Sequence, residues 1–419
     1  MHIIDELYWR GLMQDIIPGT KEQLAKESTT CYVGFDPTGP SLHIGSLVPI
    51  ILLVHMQRAG HTPIALVGGA TGMVGDPSGK SQERNLLDEA TLNVNLAGIQ
   101  SQLEKYLNFN TTLTNAAKIV NNYTWFKNFS FLNFIRDVGK YITVNYMMAK
   151  DSVKKRLDGD NGMSFTEFTY QLVQGYDFLH LYQNHNCKLQ MGGSDQWGNI
   201  ITGTELIRKK LSGEAFAFTA PLLTKADGGK FGKSEKGNIW LDINKTSAYQ
   251  FYQYWFNAAD ADAERYIKIF TFLPITTIEQ LIADHKLAPE KRLLQKTLAA
   301  QVTTFVHNQE ALNQALLTTE NLFNGTLTID VLNNLDGVTN SEIAKLDIVN
   351  GTDIISFLAT NNIFASKGEA KKALQNNSIS INRNKITDAS FVINETCLLF
   401  NKYILAQHGK KQYYLISVV

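Results

Sequence analysis

C-Y-V-G-F-D-P-T-G-P-S-L-H-I-G-S, residues 31–46, is the stretch on which the fold turns. Cys31 to Phe35 is a short apolar run that stops at Asp36-Pro37, so it reads as a strand entering a Gly/Pro-rich loop. An apolar helical run follows, from about residue 45 to 59. T-P-I-A-L-V-G-G (62–69) repeats the pattern of strand and glycine loop. C-K-L-Q-M-G-G (187–193) does so again, with a helix predicted from about 195 to 211. Strand, glycine loop and helix in succession build a parallel sheet with crossover helices. Ligands of such sheets bind at the carboxyl ends of the strands, where the polar clusters of this chain fall.

The pattern changes further on. From about 246 to 320 it is helical, with Tyr249, Tyr252 and Phe256 at i, i+3 and i+7. Residues 321–350 are Asn/Thr/Asp-rich and weakly periodic, which predicts a linker. From 351 onward two short helical patterns precede alternating strands, a small α+β domain. That region carries eight Lys/Arg and four Asp/Glu, a net of +4, within a chain of 419 residues whose 39 basic and 39 acidic side chains cancel. The balance excludes a globally basic nucleic-acid binder and leaves a local basic face. With 44% hydrophobic and 19% charged residues the chain is globular, not disordered. Cys31, Cys187 and Cys397 form no C-x-x-C, so a disulfide framework and a Cys-based zinc site are not expected, and a reducing cytoplasm is. The longest apolar stretch, Leu47 to Val54, contains Pro49 and is too short for a membrane span. The acidic N-terminus does not read as a secretory signal.

Four polar constellations carry chemistry. His43 and Gly45 fall at a helix start, where unpaired N–H groups and the helix dipole favour an anion, and Gly45 permits close approach of a ligand. Gly75-Asp76-Pro-Ser-Gly79-Lys80-Ser81 approaches a P-loop, but that pattern needs glycine where Val74 stands, so the reading is rejected; Lys80 and Arg84 still supply two cations. Gly192-Gly193-Ser194-Asp195-Gln196 leaves room for a flat ligand, with Asp195 able to accept from a ribose hydroxyl. Lys230-Phe-Gly-Lys233-Ser234 is a cationic flap suited to a transferring phosphate. Taken singly, each reads as well as a helix cap or a solvated loop.

In this order and spacing the H-I-G-S loop, the G-S-D-Q turn and the K-F-G-K-S flap resemble the class I aminoacyl-tRNA synthetases, whose signatures are written HIGH and KMSKS. C-Y-V-G-F-D-P-T (31–38), G-D-P-S-G-K (75–80), Y-Q-L-V-Q-G-Y-D (170–177) and G-G-S-D-Q-W-G-N (192–199) are similar to the bacterial-type tyrosyl-tRNA synthetases in particular. The resemblance spans nearly the whole chain. It implies an α/β fold: a Rossmann-like catalytic domain at 1–245, an α-helical anticodon-recognition domain at 246–320, the linker at 321–350, and a small basic RNA-binding domain at 351–419.

It also implies a reaction. The carboxylate of L-tyrosine attacks the α-phosphate of ATP, diphosphate leaves, and the 3′ end of tRNA(Tyr) takes the tyrosyl group. Positioning and charge neutralisation dominate such chemistry. The resemblance assigns His43, Thr38, Lys80, Arg84, Lys230 and Lys233 to the phosphates. It assigns Gly34, Asp36, Gly45, Ser46, Gly192, Asp195 and Lys233 to ATP as a whole. Tyr32 and Asp177 address the substrate phenol, and Asp76, Tyr170, Gln174 and Gln196 complete the tyrosine site. Phenylalanine would leave a buried carboxylate unpaired and is rejected. Mg2+ arrives on the ATP phosphates; no protein metal cage and no organic cofactor are expected. Ser46 departs from the family, which has histidine there; serine donates a neutral hydrogen bond and carries no charge.

The alternatives are three. A tryptophanyl enzyme is opposed by the Tyr32/Asp177 pair, since an indole has no hydroxyl to answer both. A non-catalytic RNA-binding protein is opposed by His43 and the lysine flap, and a different nucleotidyltransferase by the C-terminal half. A homodimer follows from the resemblance, with Phe- and Asn-rich segments around 121–147 able to supply the interface. Neither a membrane nor DNA is an expected partner.

Overall fold

β1 (Thr30–Phe35) lies at the centre of a parallel sheet with β2 (Thr62–Val67), β3 (Lys118–Asn121), β4 (Cys187–Gly193) and β5 (Phe216–Ala220), in the order β3-β2-β1-β4-β5. The computed structural model describes residues 1–78, 88–158, 162–229, 231–234, 237–323, 325–333, 335, 338–409 and 412–419. Lys80, Arg84 and Lys230 lie outside them.

β1, β2 and β5 are largely buried, as strands are when helices cover both faces of a sheet. The helix Leu47–Arg58 crosses from β1 to β2 and buries Leu47, Ile50, Ile51, Leu52 and Leu53. Pro49 occupies its first turn, where a missing N–H costs nothing. A single 3-10 turn, Ile44–Ser46, precedes it, so the α-helix starts two residues later than the apolar pattern predicts. The helix Phe165–His185 leads into β4. It starts at Ser164, whose side chain accepts from the Glu167 N–H at 3.2 Å, and ends at Asn186 with φ 49°. Tyr170, Gln174 and Asp177, four and three residues apart, share one face of it.

Winding decides where the site opens. From β1 the chain moves outward through β2 and β3, then returns to place β4 on the other side of β1. β1 pairs with β2 as far as Phe35↔Val67, but with β4 only as far as Tyr32↔Gln190. β4 keeps pairing with β5 to Gly193↔Ala220. The two central strands therefore part beyond Tyr32 and Gln190, at the switch point where open α/β sheets hold ligands.

The chain divides into two compact units, Met1–Lys245 with Trp255–Val306, and Thr246–Tyr254 with His307–Val419. The helical stretch expected as one domain at 246–320 is thus shared between them. The first unit takes the helices Asp260–Phe270, Ile275–Leu287 and Leu293–Val306, and also holds β6 (Lys233–Ser234) and β7 (Gly237–Asn238), a short hairpin. The second takes the helix Gln309–Phe323 and the remaining strands: β8 (Thr339–Ile343), β9 (Thr352–Asp353), β10 (Ile379–Ile381), β11 (Asn384–Ile386), β12 (Val392–Ile393), β13 (Tyr403–His408) and β14 (Gln412–Val418). Its main sheet has the order β11-β10-β13-β14-β8, with β8 parallel to β14. Ile354, Phe357, Leu358, Ile379, Ile404 and Ile416 form its core.

The stretch 321–350, expected as a linker, is corrected here. It holds the helix Ile329–Asn333, the edge strand β8 and the helix Lys345–Val349. Its period was invisible because an edge strand and two one-turn helices bury few side chains, Leu332, Ile343 and Ile348 among them. Among the described residues no helix is long and apolar enough to cross a membrane.

Candidate active site

A cavity of about 270 Å³ occupies the gap between β1 and β4. Its walls are Tyr32, Gly34, Asp36 and Thr38 from β1 and its loop, Gln190, Gly192, Asp195 and Gln196 from β4 and its turn, Tyr170, Gln174 and Asp177 from the helix Phe165–His185, and Thr71 and Asp76 from the loop after β2. Residues remote in sequence converge there because the strands part and the helix crosses the gap.

Its closed end is built from buried polar groups. Tyr32 is 1% exposed and packs on Phe178, ring centres 5.4 Å apart. Its hydroxyl has no hydrogen-bond partner among the described residues. Burial and the neighbouring Asp177 carboxyl hold its pKa well above the ordinary phenol value. Asp177 accepts from Asn122 Nδ2 at 3.0 Å and from Trp125 Nε1 at 2.9 Å. These bonds favour the carboxylate, but burial outweighs them and pushes its pKa up to about 8. Trp125 itself stacks on His180, ring centres 4.3 Å apart. The Oε1 atoms of Gln174 and Gln190 are buried without a partner among the described residues. Orphaned groups in a cavity wall await a ligand that completes them.

Two further carboxylates are wired to the protein. Asp36 accepts from Thr71 Oγ1 at 2.6 Å and from the Tyr170 hydroxyl at 2.7 Å. Burial, and then the Asp36 charge, raise the Tyr170 pKa well above the ordinary value. Asp76 accepts from Gln196 Nε2 at 2.6 Å and from the Ser78 N–H at 2.9 Å. Asp195 is raised by burial and then by Asp76.

The loop that carries His43 lies outside the cavity lining. His43 Nδ1 accepts from the Gly45 N–H at 3.0 Å and caps the 3-10 turn. A Cβ on Gly45 would lie 2.7 Å from the His43 ring, so glycine here makes room for the histidine itself. The Ile44 N–H donates to Ile239 at 3.0 Å and the Leu241 N–H to Leu42 at 2.8 Å, a short ladder joining this loop to the segment after the flap. Ile239 N–H donates in turn to Gly232 inside the flap at 3.2 Å. Phe231 stacks on Phe270, ring centres 5.3 Å apart and 13° from parallel. Lys233 stands in β6, opposite Asn238. His43, Gly45 and Ser46 do not line the cavity.

Of the residues expected at the site, Tyr32, Gly34, Asp36, Thr38, Asp76, Tyr170, Gln174, Asp177, Gly192, Asp195 and Gln196 meet in one cavity. The sequence reading missed Thr71, Asn122, Trp125 and Gln190. Asn122 and Trp125 lie in an Asn- and Phe-rich stretch with no motif, and only their contact with Asp177 marks them. Among the described residues no group of three or more His, Cys, Asp or Glu could hold a metal ion.

The family model of the tRNA synthetases class I (W and Y) matches residues 24–324. A second model, the C-terminal domain of the SYY-like tyrosine–tRNA ligases, matches residues 331–416. The tyrosine–tRNA ligase of Flavobacterium johnsoniae is 60% identical over 100% of both chains, and that of Bacteroides fragilis 57% identical over 99% of both. The C-terminally truncated mitochondrial tyrosyl-tRNA synthetase of Aspergillus nidulans superposes with a TM-score of 0.69 at 31% identity, covering 77% of this chain and 94% of that one. A tryptophanyl-tRNA synthetase of Encephalitozoon cuniculi, at TM-score 0.53 and 16% identity over 79% of this chain and 91% of its own, shares the fold alone. The chain belongs to the tyrosine–tRNA ligase family.

Proposed function

We propose that the cleft between β1 and β4 is the centre at which this chain joins L-tyrosine to ATP and then passes the tyrosyl group to tRNA(Tyr). The observation that carries the reading is the buried pair at the closed end of the cavity, Tyr32 with an unpartnered hydroxyl and Asp177 beside it. A substrate phenol can donate to Asp177 and accept from Tyr32. Phenylalanine can do neither: the Tyr32 hydroxyl then stays unpaired, at a cost of about 1–3 kcal/mol, and Asp177 keeps only Asn122 and Trp125. Asp76, Tyr170, Gln174 and Gln196 offer acceptors to the substrate ammonium. Gly34, Asp36, Thr38, Gly192 and Asp195 border the remaining volume, which takes the nucleotide.

His43, Thr38, Lys80, Arg84, Lys230 and Lys233 are the candidates for the phosphates, with Gly45 and Ser46 behind His43. Negative charge moves from the α-phosphate to the leaving diphosphate, and cations held along that path lower the barrier. Mg2+ enters as part of the nucleotide substrate. Its role is charge neutralisation on the diphosphate; the cavity carboxylates Asp36, Asp76 and Asp177 already accept from protein donors.

The helices of 246–320 take the role of anticodon recognition, and the basic C-terminal sheet that of RNA binding. A homodimer is supported by the large apolar side chains Phe131, Leu132, Ile135, Val144 and Met148, all exposed in the chain by itself. Cytoplasmic location is supported by three buried free cysteines. The test is ATP–diphosphate exchange with each of the twenty amino acids. Exchange with tyrosine alone is expected. Exchange with tryptophan instead would overturn the pocket assignment, and none with any amino acid would overturn the catalytic reading, Ser46 being the first suspect.

A further inference from the structure

The β10–β11 hairpin closes with two residues, since Ile381 pairs with Asn384. Both loop residues have positive φ, 49° at Asn382 and 70° at Arg383. Such a turn accepts asparagine readily and favours glycine at its second position. A long side chain there is strained where glycine would not be. Strain of this kind persists where the surroundings hold the residue in place.

What holds Arg383 is the end of a helix. Its guanidinium donates to the carbonyls of Gly325 at 2.7 Å, Asn321 at 2.8 Å and Leu322 at 3.2 Å, at the C-terminus of the helix Gln309–Phe323. The last carbonyls of a helix lack intrahelical partners and carry the negative end of its dipole. A planar cation with five donors in a fixed fork answers several of them at once. Two more contacts lie along the same junction. Phe323 meets Tyr413 of β14 edge to face, ring centres 5.5 Å apart, and the Tyr403 hydroxyl of β13 donates to Asn333 at 2.6 Å. All of these residues belong to the second compact unit. By charge alone Arg383 counts among the eight cations of the basic C-terminal region. Its donors are directed at the protein's own backbone.

We propose that Arg383 is a positioning residue for tRNA charging. It clasps the C-terminal sheet to the end of the helix Gln309–Phe323 and acts on tRNA through that placement, without touching an RNA phosphate. The proposal rests on the tyrosine–tRNA ligase reading. A pre-placed second contact raises the effective concentration of the RNA-binding surface, and a loosened one forfeits it.

The test uses the full chain with R383G, R383K and F323A. Glycine relieves the turn, so R383G folds while losing the clasp, and F323A weakens the same junction without changing any charge. Tyrosine-dependent ATP–diphosphate exchange should be unchanged in all three. KM for tRNA(Tyr) should rise about tenfold in R383G, with partial recovery in R383K and a smaller rise in F323A. The slope of log affinity against log salt should stay at the wild-type value, because no phosphate contact is lost. Hydrogen exchange in the last turn of the helix Gln309–Phe323 should quicken in R383G. A slope reduced by about 0.7–0.9 would make Arg383 a phosphate contact and overturn the clasp. An unchanged KM, or unchanged hydrogen exchange, would overturn it as well. Wild-type protein that charged no tRNA(Tyr) would break the parent reading, and the hydrogen-exchange arm would still decide the clasp.

Discussion

The two ends of the cavity region are made differently. At the closed end, Asp36, Tyr170 and Asp177 are buried or half-buried and tied by side-chain hydrogen bonds, and the buried Tyr32 hydroxyl has no partner among the described residues. At the other end, the loop of His43 is held to the segment after the flap by main-chain bonds, Ile44 to Ile239 and Leu241 to Leu42. On the proposed reading the closed end selects one particular molecule, and selection needs polar groups whose misplacement in low dielectric is costly. On the proposed reading the loop end handles phosphates, for which backbone geometry and cations on loops suffice. Selectivity should therefore be sensitive to single atoms at the closed end and tolerant of them at the loop end.

The largest expected effect tests that contrast directly. Asp177→Ala removes the acceptor for the substrate phenol and strands Asn122 and Trp125. Loss of a buried hydrogen-bond acceptor that leaves its donors unsatisfied is worth about 1–3 kcal/mol, so kcat/KM for tyrosine should fall by about a hundredfold in exchange assays. KM for ATP should barely move. If ATP binding collapsed while discrimination against phenylalanine persisted, the two ends would not be separable. Tyr32→Phe removes one neutral donor and should cost tyrosine about tenfold in kcat/KM while leaving phenylalanine unaffected. An equal loss for both amino acids would show that the hydroxyl is structural.

Gly45→Ala probes the loop end. The new Cβ would press on the His43 ring at 2.7 Å and displace it. The maximal exchange rate should fall severalfold, by about tenfold at most, with KM for tyrosine constant. A rise in KM for tyrosine would show that the loop and the closed end are coupled.

The remaining effect is on stability and is read as a pH trend. Asp177 keeps its proton in the unliganded fold up to a pH of about 8, against an ordinary value of 3.8. Between those values the unfolded chain has released a proton that the folded chain retains, so the group's contribution to stability falls as pH rises through the window and levels off above about 8. Asp177→Asn removes this dependence. Melting temperatures of the two proteins measured from pH 5 to 9 should diverge in favour of the variant up to pH 8 and run parallel above it. Parallel curves throughout would mean that Asp177 is ionised in the free protein.

Much of this was legible beforehand. The strand at Thr30–Phe35, the glycine turns and the stripe of Tyr170, Gln174 and Asp177 follow from short-range pattern, because period and turn chemistry are local properties. The partners Asn122 and Trp125 were not legible, since nothing in a run of Asn, Tyr, Thr and Trp says which carboxylate they meet. Nor was β8 legible as a strand, because an edge strand buries one or two side chains and leaves little alternation to read.

By itself the sequence determined the succession of strand, glycine loop and helix, the identity of the groups at the carboxyl ends of the strands, and the family to which they belong. Tertiary structure alone decided where β1 and β4 part, so that a cavity opens past Tyr32 and Gln190. It decided that burial holds the Asp177 proton, that Gly45 yields its space to His43, and that Arg383 faces a helix end. The reason is common to all of these. Desolvation, close approach and strand separation depend on atoms brought together across tens or hundreds of residues, and no local pattern records them.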